Sequence, residues 1–198
     1  MGNQREKIMI NTKKVEQATT DLLLALGVDI NDANFKGTPE RMGRAYNEIF
    51  HGLNDIKEEE EKLFSKSFPS DNDEMVIIKD IHVFSMCPHH LLPVEMIVHI
   101  AYIPNGKVIG LSKLPRLVEL YAKRPVLQEQ LCVDIVDSLM KHLNPLGAAI
   151  VVKGRHYCMI MRGIQKREAW TITSCVRGVF RDNKEKAREE FLKLINHD

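Results

Sequence analysis

The sequence lacks an excess of charge of either sign, and it lacks any long apolar run. Lys and Arg together number 28 against 27 Asp and Glu, so the formal charge is +1. A nearly neutral chain has no overall field that favours nucleic acid or an acidic membrane. No apolar stretch approaches the roughly 20 residues that span a bilayer. We therefore expect neither nucleic acid nor membrane as a partner, and any anion site must be built from locally clustered Arg and Lys.

We expect no export signal, and cysteine is scarce in the sequence. The amino-terminal stretch MGNQREKIMINTKK has no apolar core of the kind that an export signal needs, so the expected location is cytoplasmic. The 198 residues contain only four cysteines, which are Cys87, Cys132, Cys158 and Cys175. Because a reducing cytosol disfavours disulfides, cysteines here are expected to bind a metal or to lie buried. Plain packing is the expectation for Cys132 and Cys175.

The order of apolar patterns predicts an α+β fold. Helical spacing of apolar residues dominates the first 70 residues. Two β-rich runs follow, then two helices, two further β-rich runs and a closing amphipathic helix from Asn183. We therefore predict an amino-terminal helical region over residues 1–70. Residues 71–198 are predicted to form a domain with an antiparallel four-stranded sheet and two helices between the strand pairs.

Two short motifs carry side chains that bind metals. In CPHH, Cys87 and His90 stand three residues apart on a turn that Pro88 favours, so a thiolate and an imidazole can converge. HYC adds His156 and Cys158, which share a face if this stretch is a strand. A Cys–His–Cys set with a fourth position open to water is typical of a catalytic zinc. The alternative is a tight turn with a buried thiol and surface histidines.

Longer stretches resemble the GTP cyclohydrolase I family. They are SMCPHHLLP, AYIPNGKVIGLSKLPRLVELYAKR, VLQEQL, HYCMIMRGIQK and GVFRD, with TPERMGRAYNEIFHGL upstream. Together they run from about Thr38 to Ile195 in the family's order. The resemblance implies the tunnelling fold, in which subunits join their sheets into a pentameric barrel and two pentamers stack. It therefore implies a homo-decamer with active sites between subunits.

The resemblance also implies a reaction and a metal. The family hydrolyses the imidazole ring of GTP at C8, releases formate and rebuilds the remainder as 7,8-dihydroneopterin triphosphate, at the entry to folate or other pterin pathways. Its zinc ligands map onto Cys87, His90 and Cys158, and its proton donor and acceptor maps onto His156. His89 is expected to relay a second proton or to contact the purine or ribose, and a role in stabilising the turn is its alternative. Zinc lowers the pKa of water from 15.7 to about 7, which suits attack on C8.

Contacts to the base and the triphosphate are carried over from the resemblance. A carboxylate can accept from N1–H and the 2-amino group of guanine, which adenine does not offer. The family's substrate-binding Gln–Glu pair matches Gln128 and Glu129. Ser112, at a predicted helix start, is implied in phosphate or ribose contact and in the later ribose rearrangement. Five cations match the family's phosphate contacts: Lys113, Arg116, Arg162, Arg41 and Arg44.

Two departures from the family pattern leave alternatives open. Pro88 stands where the family usually has Glu, and the Gly that commonly follows the ligand turn is missing. Because both bear on the tuning of the site, one alternative is an enzyme that stops at a formylated, ring-opened intermediate. Another is a zinc-stabilised oligomer that binds purine nucleotides without turnover. A nitrile reductase of the same fold, with a Cys nucleophile and a nicotinamide cofactor, is the third.

Overall fold

A computed structural model describes residues 10–54, 56–182 and 186–197. The described chain forms two compact units, one within Met1–Asp55 and one within Ile56–Asp198. The stretch from which we inferred that an export signal is missing begins in residues 1–9, which lie outside the described residues. The domain boundary expected at residues 70 and 71 stays a prediction.

The first unit is helical. The side chain of Asn11 accepts a hydrogen bond from the backbone N–H of Lys14 and so caps the first helix. The second helix approaches the first closely at Gly43, where an added Cβ would lie 3.0 Å from Glu16 Cγ. A side chain at this position would therefore require Glu16 to shift. The helices are α1 (Thr12–Ala25), α2 (Thr38–Ile49) and a short 3-10 helix (His51–Leu53).

The second unit is an α+β domain, as the sequence predicts. The closing helix, predicted from Asn183, is described from Lys186 to Ile195, and residues 183–185 lie outside the described residues. No helix in the described ranges is long and apolar enough to cross a membrane. The strands are β1 (Ser67–Pro69), β2 (Val76–Met86), β3 (Pro93–Ile103), β4 (Lys107–Ile109), β5 (Gly147–His156) and β6 (Thr171–Gly178). The helices are α3 (Ile56–Phe64), α4 (Lys113–Ala122), α5 (Gln128–Leu143), α6 (Tyr157–Ile160), α7 (Val179–Asp182) and α8 (Lys186–Ile195).

The main sheet has four antiparallel strands in the order β2-β3-β5-β6, and β1 pairs with β4 in a smaller sheet. In the chain, α4 and α5 lie between the two strand pairs, which confirms the predicted arrangement and is the order expected of the tunnelling fold. Met96, Val98, Ile100 and Tyr102 of β3 are fully buried. They share one face because alternate residues of a strand point the same way. That face packs in one core with buried residues of α4 and α5.

The opposite face of the sheet has a second, smaller core. Ala101 of β3 and Ala149 of β5 lie there with Phe180 of α7 and Phe191 of α8. The two phenylalanine rings meet edge to face with centroids 6.1 Å apart. Small residues on the strands leave room for these rings, so helices cover this face as well.

Strand register decides which loops meet at one end of the sheet. Met86, the last residue of β2, pairs with Pro93, the first residue of β3. Val94 in turn pairs with His156, the last residue of β5. The turn between β2 and β3 is therefore placed beside the end of β5, although the two are about 65 residues apart in the chain. The CPHH and HYC motifs meet at this edge.

Candidate active site

A thiol, an imidazole and a second thiol converge at this edge of the sheet. The ligand atoms of Cys87, His90 and Cys158 all lie within 4.8 Å of one another. Cys87 is buried, Cys158 is partly buried and His90 is exposed. The three groups therefore face one point that opens to solvent on one side.

The CPHH turn is held by its own backbone. The N–H of Cys87 donates to the carbonyl of Leu92, and the N–H of Leu91 donates to the carbonyl of Cys87, both at 2.9 Å. Leu91 takes a φ of 52°, in the left-handed region that glycine prefers. The closed turn brings His90 Nδ1 to 3.6 Å from Cys87 Sγ.

The strand predicted to run through HYC ends before its cysteine. β5 ends at His156, and Cys158 lies in the short helix α6. The prediction that His156 and Cys158 share a strand face is therefore wrong. A helix turns by about 100° per residue instead of alternating. This turn brings the Cys158 thiol to the CPHH turn while His156 stays in the sheet.

The donor set fits a thiophilic divalent ion. Burial raises the pKa of Cys158, and the hydrogen bond and charge of Cys87 raise it further. Two sulfur atoms so close together are stabilised as thiolates by a cation between them. Thiolates and imidazole are the ligands of zinc, and three protein ligands leave the fourth tetrahedral position open. Cys132 and Cys175 are buried in the core, as predicted.

Two further polar side chains border the three ligand atoms. His89 Nδ1 lies 3.9 Å from Cys87 Sγ, and its ring stands at 86° to that of His90. Arg162 Nη1 donates to His90 Nε2 at 3.0 Å. The structure therefore brings His89 and Arg162 beside the cysteine–histidine group.

His156 is tied to the start of α5. Its Nε2 lies 2.9 Å from Oε1 of Gln128, a side chain that is only 2% exposed. Burial lowers the pKa of His156, and the charge of Glu129 opposes this shift. The carboxylate of Glu129, which is exposed, is therefore near enough to act on the ring. The Gln–Glu pair thus has one side chain inside the protein and one at its surface.

The remaining predicted residues lie on two helices. Ser112 is the N-cap of α4 and makes no side-chain capping bond, and Lys113 and Arg116 belong to the first turn. Arg41 and Arg44 lie on the exposed side of α2 in the first unit, where Arg41 Nη2 donates to Thr38 Oγ1 at 2.9 Å. Their roles toward a substrate stay predictions.

The sequence analysis missed one position near His156. Gly154 lies two residues before it in β5, and a Cβ there would be 3.1 Å from Cδ of Gln128 and would overlap Oε1. A glycine inside a strand is itself a signal, because it weakens the strand unless another group approaches closely. The sequence VVKGRH at the end of β5 contains such a glycine.

Comparison with known proteins identifies the family. A family model described as GTP cyclohydrolase I matches residues 15–196. The chain belongs to the GTP cyclohydrolase I family. GTP cyclohydrolase 1 of Desulforamulus reducens is 48% identical over 188 residues, which cover 94% of this chain and 98% of the relative. That of Thermoanaerobacter pseudethanolicus is 45% identical over 189 residues, covering 95% and 98%. That of Streptococcus mutans is 44% identical over 194 residues, covering 98% and 99%.

Membership of the GTP cyclohydrolase I family confirms the resemblance drawn from the motifs. The matched range extends over most of both units and includes every residue named above as a site candidate. The nitrile reductase alternative is therefore set aside. Family membership does not by itself assign a role to each of these residues.

Proposed function

We propose that this member of the GTP cyclohydrolase I family hydrolyses GTP to 7,8-dihydroneopterin triphosphate and formate. The reaction opens the five-membered ring of the purine at C8, rearranges the ribose and closes a new ring. Besides family membership, the strongest support is the convergence of Cys87, His90 and Cys158 within 4.8 Å. His156 ends the adjoining strand β5, which supports a proton carrier beside the cysteine–histidine group.

Zinc is the ion that we propose for the three ligands. Two sulfurs and one imidazole nitrogen favour zinc over harder ions. When bound there, zinc would lower the pKa of water and supply a nucleophile near neutral pH. The protein's own part is to hold Cys87 in a closed turn, to set His90 beside it and to bring Cys158 from α6. Backbone hydrogen bonds close the turn that carries Cys87 and His90, and α6 carries Cys158.

His156 is proposed to carry the proton that ring opening requires. When the bond between C8 and N9 breaks, the departing nitrogen must be protonated, and an imidazole exchanges protons near neutral pH. The hydrogen bond from His156 Nε2 to Gln128 Oε1 restrains the ring. His89 is proposed as a second relay or as a contact to the purine or ribose, since it lies against the cysteine–histidine group.

Recognition of guanine is proposed for Glu129. Its carboxylate is exposed at the start of α5 and close enough to His156 to influence that ring. Acceptance of hydrogen bonds from N1–H and the 2-amino group would select guanine, because adenine would leave the carboxylate unpaired. Base recognition and proton transfer would then take place on neighbouring residues.

The triphosphate is proposed to bind a set of cations and the start of α4. Arg162 already lies beside the cysteine–histidine group, and its planar guanidinium suits bidentate phosphate contact. The start of α4 adds free backbone N–H groups and the Ser112 hydroxyl, and Ser112 is also proposed for the ribose rearrangement. The other proposed phosphate contacts are Lys113, Arg116, Arg41 and Arg44.

Assembly and location complete the proposal. We propose a cytoplasmic homo-decamer of two stacked pentamers, with GTP sites between subunits. Sedimentation velocity of the purified chain tests the assembly, and a species of pentamer size or smaller would contradict it. Fractionation of cells followed by immunodetection tests the location.

The decisive experiment is metal analysis combined with a GTP assay on one preparation. We expect about one zinc per subunit, release of formate and pterin fluorescence. Formate without fluorescence would identify an enzyme that stops at the ring-opened intermediate. Recovery of unchanged GTP from a tight complex would refute turnover.

Two variants separate the metal from the proton carrier. Cys158→Ser is expected to lose both metal and activity, because it removes one of only three ligands. His156→Ala is expected to keep the metal and to lower kcat by roughly 10²- to 10⁴-fold. His82→Ala, an exposed histidine on β2, is the matched control and should keep both. Full activity in His156→Ala would contradict its assigned role.

A further inference from the structure

The side-chain amide of Gln128 is held in one orientation. The two hydrogens on its Nε2 are shared among three acceptors, the carbonyl oxygens of Val152 and Thr171, each at 3.1 Å, and Oγ1 of Thr173 at 3.0 Å. Carbonyl oxygens only accept, so a flipped amide would set oxygen against oxygen in a site that is 2% exposed. The network therefore determines which end of the amide is oxygen, which atomic positions alone do not decide.

The oxygen end of this amide occupies space that Gly154 provides. A Cβ at residue 154 would overlap Gln128 Oε1 and lie 3.1 Å from its Cδ. Gly154 pairs with Met96 and Thr171 on a central strand of the sheet, and its φ is not in the left-handed region, so backbone conformation does not call for glycine. The missing side chain is thus explained by the close approach of Gln128.

The amide oxygen faces the ring of His156. Oε1 is an acceptor, so the 2.9 Å contact with Nε2 requires that Nε2 carry the hydrogen. A neutral imidazole has one protonated nitrogen, which leaves Nδ1 with the free lone pair. We infer that Gln128 and Gly154 are positioning residues, which hold His156 as its Nε2–H tautomer and reserve Nδ1 for proton exchange with the substrate.

This inference deepens the proposed function and rests on the assigned role of His156. It also divides the Gln–Glu pair, because Gln128 has both amide hydrogens engaged inside the protein and none left for guanine. Gln128 thus acts through His156 and does not touch the base, whereas Glu129 stays at the surface for base recognition.

Kinetics of three variants test the positioning role. Gln128→Met keeps the length of the side chain but removes its acceptor, and Gly154→Ala displaces the amide. Both are expected to lower kcat about 10- to 100-fold, as loss of an orienting partner does, with metal content unchanged. KM for GTP should stay within about twofold, since no substrate contact is lost. Gln130→Met, at an exposed position of the same helix, is the matched control and should leave kcat, KM and metal content unchanged.

A double-mutant cycle checks that the two residues act together. If Gly154 only makes room for Gln128, then Gly154→Ala should cause no further loss of kcat in the Gln128→Met background. Additive losses would overturn the link between them. A raised KM with unchanged kcat in Gln128→Met would overturn the positioning role and favour direct contact with the substrate.

The tautomer itself is measured without GTP. Solid-state NMR of the sedimented, full-length protein labelled with ¹⁵N-histidine distinguishes protonated from bare ring nitrogens, and His156 is assigned from the signals lost in His156→Asn. At roughly pH 8, where an ordinary histidine is neutral, we expect a protonated Nε2 and a bare Nδ1 in the wild type. Gln128→Met should give a mixture of tautomers.

The outcomes separate this inference from the proposed function. A proton on Nδ1 of His156 in the wild type would overturn the inference, whatever the GTP assay gives. Absence of formate from the wild type would overturn the proposed function and leave the tautomer measurement valid. If Gln128→Met fails to fold, the wild-type spectrum and the Gly154→Ala kinetics still test the positioning of His156.

Discussion

Removing the carboxylate of Glu60 should lower the free energy of unfolding by about 3–5 kcal/mol. Glu60 is on α3 and is 5% exposed. Its Oε1 accepts hydrogen bonds from the hydroxyls of Tyr121 on α4 and Ser138 on α5, the latter at 2.5 Å. Its Oε2 lies 3.8 Å from Nε2 of His142. One side chain therefore connects three helices.

The magnitude follows from these contacts. A hydrogen bond to a charged group contributes about 1.5–3 kcal/mol, so loss of two gives about 3–6 kcal/mol. Water entering the space left by Glu60→Ala recovers part of this, which gives the range of about 3–5 kcal/mol. Burial and the bond to Glu60 raise the pKa of Tyr121, so its hydroxyl stays protonated and donates at any ordinary pH. Glu60→Gln keeps an acceptor and should lower the free energy of unfolding by only about 1–2 kcal/mol.

Urea unfolding at fixed protomer concentration measures the effect, since an assembling protein has a concentration-dependent stability. The matched control is Glu61→Ala, an exposed neighbour on the same helix, with an expected change within about 0.5 kcal/mol. Below the unfolding transition, Glu60→Ala should keep its kcat, because the cluster is not part of the proposed site. A loss no larger than that of Glu61→Ala would refute the reasoning.

Three further predictions concern a thiol and two backbone positions. Burial raises the pKa of Cys132 from 9.0 to about 11, so its thiolate fraction at about pH 8 is roughly 100-fold smaller than usual. Alkylation followed by mass spectrometry should show it reacting correspondingly slowly, and an ordinary rate would contradict the burial. Leu91→Gly should raise the free energy of unfolding by up to about 1 kcal/mol, because φ is 52° there, and a lower urea midpoint would count against this. Gly178→Ala should lower the melting temperature and the free energy of unfolding, the latter by about 2 kcal/mol or more. The reason is that φ is 58° there and a Cβ would overlap the Leu146 carbonyl. An unchanged melting temperature would contradict this prediction.

The order of elements was predictable because its signals are local. Alternation in β3 and helical spacing in α4 and α5 both report burial of one face, and the structure buries those faces. A local signal also predicted part of the cysteine–histidine group. Cys87 and His90 occupy one short turn, so their convergence follows from the spacing and from Pro88.

The placement of Cys158 shows where local patterns stop. The stretch HYCMIM has the β-rich composition of a strand, yet the chain leaves the sheet at His156 and turns into α6. Composition does not report where a strand loses its neighbours, and β6 pairs only as far as Gly154. The thiol reaches the other ligands because the strand ends.

By itself, the sequence determined the fold class, the order of strands and helices and the residue types available for a metal and for proton transfer. Only the tertiary structure decided that Gln128 faces inward and Glu129 outward, because the partners of Gln128 lie 24 to 45 residues away on two strands. Such contacts depend on strand register and on the space beside Gly154, and the spacing of residues along a helix predicts neither. Local chemistry therefore supplied the candidates, and the packing of distant strands assigned their orientation.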